Sequence, residues 1–150
     1  TDLTEDVCKG CDAVVFAAGS GGDTGPEMTD KVDRDGAIKL IDIAVKTNVP
    51  RFVMLSTVGA DKPDQSSELA HYLQAKHDAD EHLKSSGLSY AIVRPVSLTD
   101  EDGDRDIVFG DDVDVKGKAA RGDVAAVLAT AVVDDGWTGK ALLMESASAR

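Results

Sequence analysis

A chain of 150 residues with 28 acidic against 16 basic side chains carries a formal net charge of −12. That sign excludes tight binding to nucleic acid or an anionic membrane surface, since both require a positive field. With 42% hydrophobic residues and few aromatics, the chain is long enough to bury the core of one domain without disulfide staples. No run approaches the roughly 18 consecutive apolar residues of a membrane span. The opening Thr1-Asp-Leu-Thr-Glu-Asp6 has neither a signal peptide nor an initiator Met. The expectation is a soluble cytoplasmic protein whose start lies upstream.

Cys8 and Cys11 come first along the chain, in Cys-Lys-Gly-Cys. This spacing suits a redox pair or half a zinc site. No second pair completes a metal set, and His71, His77 and His82 are spaced so that they do not stack on one helix face. Reduced thiols and no metal site are therefore expected. Residues 13–18 form a short apolar run leaving into Gly19-Ser-Gly-Gly22, which reads as a buried strand entering a loop. Residues 26–47 follow as a helix, with Val32, Ile38, Leu40, Ile41, Ala44 and Val45 near helical spacing. Residues 51–56 are strand-like, and a polar loop with Gly59, Pro63 and Asp64 comes after them.

Residues 68–86 read as a second long helix, stopped by Gly87 at its C′ position. Residues 89–94 make a third strand, closed by Pro95. A loop rich in Asp and Gly runs from 99 to 110, with a short strand at 106–109. Its Asp100-Glu-Asp-Gly-Asp104 lacks the order of a calcium loop, so it and Asp111, Asp112 and Asp114 read as solvated surface. Residues 123–133 form an apolar helix, Trp137 is a packing residue, and 140–145 is the last strand. Strands joined by helices imply a parallel sheet with right-handed crossovers. The runs are too continuous for a sheet with one wet face. The fold expected is α/β, a three-layer α/β/α Rossmann-like parallel sheet in a single domain. Ligands in such sheets bind beyond the carboxyl ends of the strands.

One motif there carries chemistry. Tyr72 and Lys76 lie four apart on the second long helix, which puts phenol and ammonium on one face. A nearby ammonium favours phenolate, so a lowered Tyr72 pKa is expected, suited to exchanging a proton with a carbonyl or alcohol oxygen. Ser56 and Thr57 end the preceding strand and bring hydroxyls to the same rim.

The order Asp2-Leu3-Thr4, Val14-Val-Phe-Ala-Ala-Gly19, Asp33-Arg-Asp-Gly36, Arg51-Phe-Val-Met-Leu-Ser-Thr57, Tyr72-x-x-x-Lys76, Ser86-Gly-Leu-Ser-Tyr-Ala-Ile-Val-Arg-Pro95 and Arg121-Gly-Asp-Val-Ala125 resembles the atypical short-chain dehydrogenase/reductases. These include NmrA-like and epimerase/dehydratase-like proteins that bind NAD or NADP. The resemblance covers nearly the whole chain. It implies that Asp2 and Leu3 meet the adenine, that Ala17, Ala18 and Gly19 pass the cofactor ribose and pyrophosphate, and that Lys76 holds the nicotinamide ribose. Pro95, Val96 and Leu98 would lie beside the nicotinamide. Ser56 or Thr57, Tyr72 and Lys76 would be catalytic. Asp33 stands where extended members of the superfamily carry an active-site Asn.

The departures matter as much. Family members open with a strand and a Gly-x-x-Gly-x-x-Gly turn into a helix, which lets the backbone approach the pyrophosphate. No such motif is read in this chain, and Gly19-Ser-Gly-Gly22 is set aside because it belongs to the later strand and is taken to lack the spacing. Roughly 55 to 60 residues are missing by analogy with family strand–helix units. An N-terminally truncated domain is therefore expected, with impaired cofactor binding and homo-oligomer formation through an exposed sheet edge. Three roles stay open: an NAD(P)-dependent oxidoreductase or epimerase-like enzyme acting on a small molecule, an NmrA-like sensor of NAD(P) without turnover, and an inactive fragment completed by another chain.

Overall fold

The computed structural model describes residues 3–18 and 25–149. Five strands form the main sheet: β1 (Val14–Phe16), β2 (Phe52–Leu55), β3 (Tyr90–Pro95), β5 (Ile107–Phe109) and β7 (Lys140–Ser146), in the order β1-β2-β3-β7-β5. The first four of that order are mutually parallel, with Val14 opposite Phe52, Phe52 opposite Tyr90 and Ala91 opposite Lys140. Helices α1 (Pro26–Thr29) and α2 (Ala37–Lys46) are joined by a π-helical stretch, Asp30–Gly36, so the single helix expected over 26–47 is one continuous rod with a wider middle. Helices α3 (Ala70–Ser85) and α4 (Arg121–Val133) complete the crossovers.

Side-chain alternation assigns the layers. Phe52, Met54 and Ile92 point to one face of the sheet, where Ala37, Ile41 and Ala44 of α2 and Ala79 and Leu83 of α3 cover them. Val53, Ala91 and Val93 point to the other, under Val124, Val127, Leu128 and Ala131 of α4. Both helix sets repeat apolar residues at helical spacing, which gives each a stripe to bury. The strand residues named here are fully buried, as both-face coverage requires. Trp137 packs edge-on to Phe109 with ring centroids 5.7 Å apart.

Three points correct the sequence reading. β5 runs antiparallel to β7, with Ile107 opposite Ser146. No crossover helix separates β3 from β5, so the chain re-enters the sheet from the carboxyl rim and must run the other way. A small second sheet pairs β4 (Ser97–Thr99) with β6 (Lys118–Ala120) in parallel. The helix expected at 123 begins two residues earlier, at Arg121.

The amino-terminal rim is fastened by one residue. Arg51 is buried just before β2. Its Nε donates to the carbonyl of Ala131 at 3.0 Å, Nη2 to that of Asp134 at 2.6 Å, and Nη1 to the hydroxyls of Ser89 and Thr138. A cation thereby satisfies carbonyls at the end of α4. At the far side of the sheet β1 pairs only with β2 among the described residues, and Val15 is exposed there. No helix among the described residues is long and apolar enough to cross a membrane.

Candidate active site

The carboxyl rim is organised by the loops that leave β2 and β3. The ladder continues past the strands: Ser56 N–H donates to the carbonyl of Val93, Val58 N–H to that of Pro95, and Val96 N–H to that of Met144. His77 of α3 donates from Nδ1 to the carbonyl of Ala60 at 2.7 Å, tying the loop after β2 to that helix. Gly59 takes φ +89° against the methyls of Leu73, a conformation that few side chains tolerate.

Between α3 on one face of the sheet and α4 on the other opens a cleft of about 630 Å³. It is bordered by Ala17 and Ala18 after β1, by Ser56 and Thr57 after β2, by Tyr72 and Lys76 of α3, and by Pro95, Val96 and Leu98 after β3. All nine are residues singled out from the sequence. The volume is typical of small-molecule and cofactor sites. Leu3 lies apart, in a second hollow of about 650 Å³ with Val15, Phe16, Val32 and Leu40; Ala17 and Ala18 border both. Asp2 and Gly19 lie outside the described residues. Gly19, Gly22 and Gly25 stand three apart in the sequence, so the assignment of that loop to a later strand rests on the resemblance and not on spacing.

Asp33 does not border the cleft. The π-helical stretch turns it inward, where it is fully buried, and its Oδ1 lies 3.8 Å from Lys76 Nζ. π-Helical turns of this kind are frequent at functional sites. Lys76 is itself buried and sits 5.7 Å from the centroid of the Phe16 ring. Burial pushes the Lys76 ammonium below its ordinary pKa, and the charges of Asp33 and Asp80 pull it part of the way back.

This geometry reverses the expectation for Tyr72. Its pKa is raised, first by burial and then by the negative charge of Asp33. The Lys76 charge is answered by Asp33 at 3.8 Å, and burial and the carboxylate set the direction at Tyr72. Tyr72 is consequently a phenol at neutral pH and suited to donate.

Two further residues support the floor of the cleft and were not singled out beforehand. Ser56 Oγ donates to Asp80 Oδ2 at 2.6 Å, and Arg94 Nη2 donates to the same oxygen at 3.2 Å. Asp80 and Arg94 are both buried. Burial raises the Asp80 pKa, against the hydrogen bond from Ser56 and the charges of Arg94 and Lys76. A signal for Asp80 was present: Tyr72, Lys76 and Asp80 continue one series at spacing four along α3. Arg94 was visible only as the residue before a strand-ending Pro.

The third missed residue is Arg121, which borders the cleft from the first turn of α4. Beside it, Asp123 is buried and accepts from Ser146 Oγ at 2.6 Å, from the Arg105 backbone N–H at 2.9 Å and from Arg105 Nη1 at 3.0 Å. The acidic loop is thus fastened at its Arg105 end to a structural carboxylate. No group of His, Cys, Asp and Glu able to hold a metal occurs among the described residues.

The small, exposed Ala17 and Ala18, the hydroxyls of Ser56 and Thr57, the Lys76 ammonium and the apolar Pro95 and Val96 form a donor set and a flat wall that fit the nicotinamide end of a dinucleotide. Comparisons with known proteins bear on the family. The chain is 44% identical over 118 residues to the uncharacterized sugar epimerase YhfK of Bacillus subtilis, a match covering 78% of this chain and 55% of that protein. It superposes with a TM-score of 0.90 and 39% identity on the provisionally named NAD-dependent epimerase/dehydratase of Bacillus halodurans, over 97% of this chain and 69% of that one. The oxidoreductase ylbE of Lactococcus lactis gives a TM-score of 0.84 and 34% identity, over 95% of this chain and 65% of that one. The chain spans about half the length of the curated relatives it matches. A family model described as NAD(P)H-binding matches residues 1–135, and the chain belongs to that NAD(P)H-binding family.

Proposed function

We propose that the cleft is the substrate-side half of an NAD(P)-dependent oxidoreductase or epimerase site acting on a small molecule. The observation that carries this reading is the convergence of Ser56, Thr57, Tyr72 and Lys76 on one rim, beside Pro95, Val96 and Leu98. When bound, the nicotinamide dinucleotide supplies or accepts the hydride. Tyr72, kept protonated by burial and by Asp33, donates a hydrogen bond and then a proton to the substrate oxygen. Lys76 holds the nicotinamide ribose and is itself positioned by Asp33, which acts through the lysine and touches no substrate. Ser56 donates inward to Asp80, so it presents lone pairs to the cleft and orients a hydroxyl. Leu3 and the hollow beside it receive the adenine end. The relatives' names, a sugar epimerase and an epimerase/dehydratase, support this class of chemistry.

The test is NADPH and NADH oxidation across a panel of quinones, aldehydes and keto sugars. Turnover that falls at least about 100-fold in Tyr72→Phe supports proton transfer by the phenol; an unchanged rate overturns it. A second reading, a sensor that binds NAD(P) without turnover, is favoured by a Ser56 hydroxyl already committed to Asp80. Binding with no oxidation of any substrate selects it.

The chain spans about half the length of the curated relatives it matches, and these 150 residues are expected to hold the dinucleotide weakly; a micromolar Kd by calorimetry overturns this. The β1 edge and its apolar hollow favour association between copies, which a monomeric peak in sizing chromatography contradicts. A cytoplasmic location fits the negative charge and the reduced thiols.

A further inference from the structure

We infer that the substrate carries an oxyanion group on an apolar body, and that Arg121 recognises that group. The inference rests on reading the cleft as a substrate site. Of the residues that border it, Lys76 and Arg121 are charged and both are cations, although the chain as a whole has a net charge of −12. A surface so rich in carboxylates has contributed none to this cleft among the described residues.

The two cations are not equivalent. Lys76 is buried and lies 3.8 Å from Asp33, so its charge is answered from within. Arg121 has a side chain 55% exposed, and Nη1 meets Asp100 Oδ1 at 3.0 Å; Asp100 is itself 96% exposed. An ion pair standing in water contributes little, so a ligand oxyanion can take the place of Asp100 at small cost. The guanidinium fork matches a carboxylate or phosphate with two parallel donors. Arg121 is one turn from Val124 and Ala125 and shares its wall with Leu98 and Leu128, while Leu69 and Leu73 line the α3 side. Such walls desolvate an apolar body and leave one end of it beside the guanidinium. Tyr72 and Arg121 stand on helices that cover opposite faces of the sheet, so a ligand reaching both bridges the cleft from its reacting oxygen to its anionic end.

The test uses the full chain without cofactor and three probes of similar size: phenylbutyrate, phenylbutanamide and phenyl phosphate. Binding is followed by NMR, including the Arg121 side-chain Nε–H. The charged probes are expected to bind about tenfold more tightly than the amide, with the advantage shrinking as salt is raised. Arg121→Gln should abolish the difference and Arg121→Lys should keep part of it, with the melting temperature of both variants unchanged. The relative rank of carboxylate and phosphate names the oxyanion. Equal binding of amide and acid, failure of all three probes to bind, survival of the preference in Arg121→Gln, or an Arg121→Gln defect confined to NADPH binding would each overturn the inference. The functional reading is tested separately. A charge preference with a Tyr72→Phe rate equal to that of the parent leaves this inference standing and removes that reading; turnover lost in Tyr72→Phe with no charge preference does the reverse.

Discussion

Asp80 and Asp123 both show almost no surface, at 1% and 0% exposure, but Asp80 lies deep in the interior and Asp123 lies just under a surface loop, and their carboxyl pKa values shift in opposite directions. At Asp123 burial pushes the carboxyl up, but hydrogen bonds from Ser146 and from both the backbone and guanidinium of Arg105 outweigh it, and the pKa ends below its ordinary value. Both oxygens are served, Oδ1 by Arg105 and Oδ2 by Ser146. At Asp80 both donors crowd onto Oδ2. Oδ1 has no hydrogen-bond partner among the described residues, nor has Nε of the neighbouring Arg94. Burial wins there and the pKa rises. Depth and hydrogen bonding act together: the shallow, fully bonded carboxylate is held ionised, while the deep, partly bonded one is pushed toward its protonated form. The first anchors the acidic loop to α4; the second lies under the cleft.

The largest effect that can break this contrast is expected at the structural carboxylate. Asp123→Ala leaves the Ser146 hydroxyl without its acceptor and the Arg105 N–H without a partner. It should cost about 2–3 kcal/mol in urea denaturation; a loss under about 1 kcal/mol would show that the anchor is dispensable. Gly103→Ala attacks the same anchor from outside. Gly103 has φ +76°, and an added methyl would run into the Asp123 carboxylate, so a loss of about 1–2 kcal/mol is expected.

Asp80→Asn keeps an acceptor oxygen for Ser56 and Arg94 and is read by the pH dependence of stability, which should change. A raised folded pKa gives stability that is fully present below the ordinary carboxylate value and is lost as pH rises through the folded value. The Asn variant should lack that loss. Asp123 works the other way: its contribution is present above the ordinary carboxylate value and lost as pH falls through the depressed one. Urea midpoints across the acid range separate the two slopes, and identical profiles for parent and Asp80→Asn would remove the distinction.

The sheet was legible in the sequence where burial on both faces demanded unbroken apolar runs, as in Phe52–Leu55 and Tyr90–Pro95. β4 and β6 escaped because Ser97–Thr99 and Lys118–Ala120 are three residues each and have no apolar period. The direction of β5 escaped because local pattern does not encode which way an edge strand runs. In the site, spacing revealed Tyr72 and Lys76, and the strand end revealed Ser56. What it could not reveal was the sign of the Tyr72 shift. That depended first on how deeply the phenol is buried and then on Asp33, brought beside Lys76 from 43 residues away in the chain, neither of which a short motif records.

The Arg51 knot has an evolutionary corollary. One side chain clasps the end of α4 and the approaches to β3 and β7, all on the rim opposite the cleft. The threading of the strands is therefore secured without help from the loops that meet ligand. Those loops can be shortened, lengthened or recoloured in charge while the scaffold keeps its register.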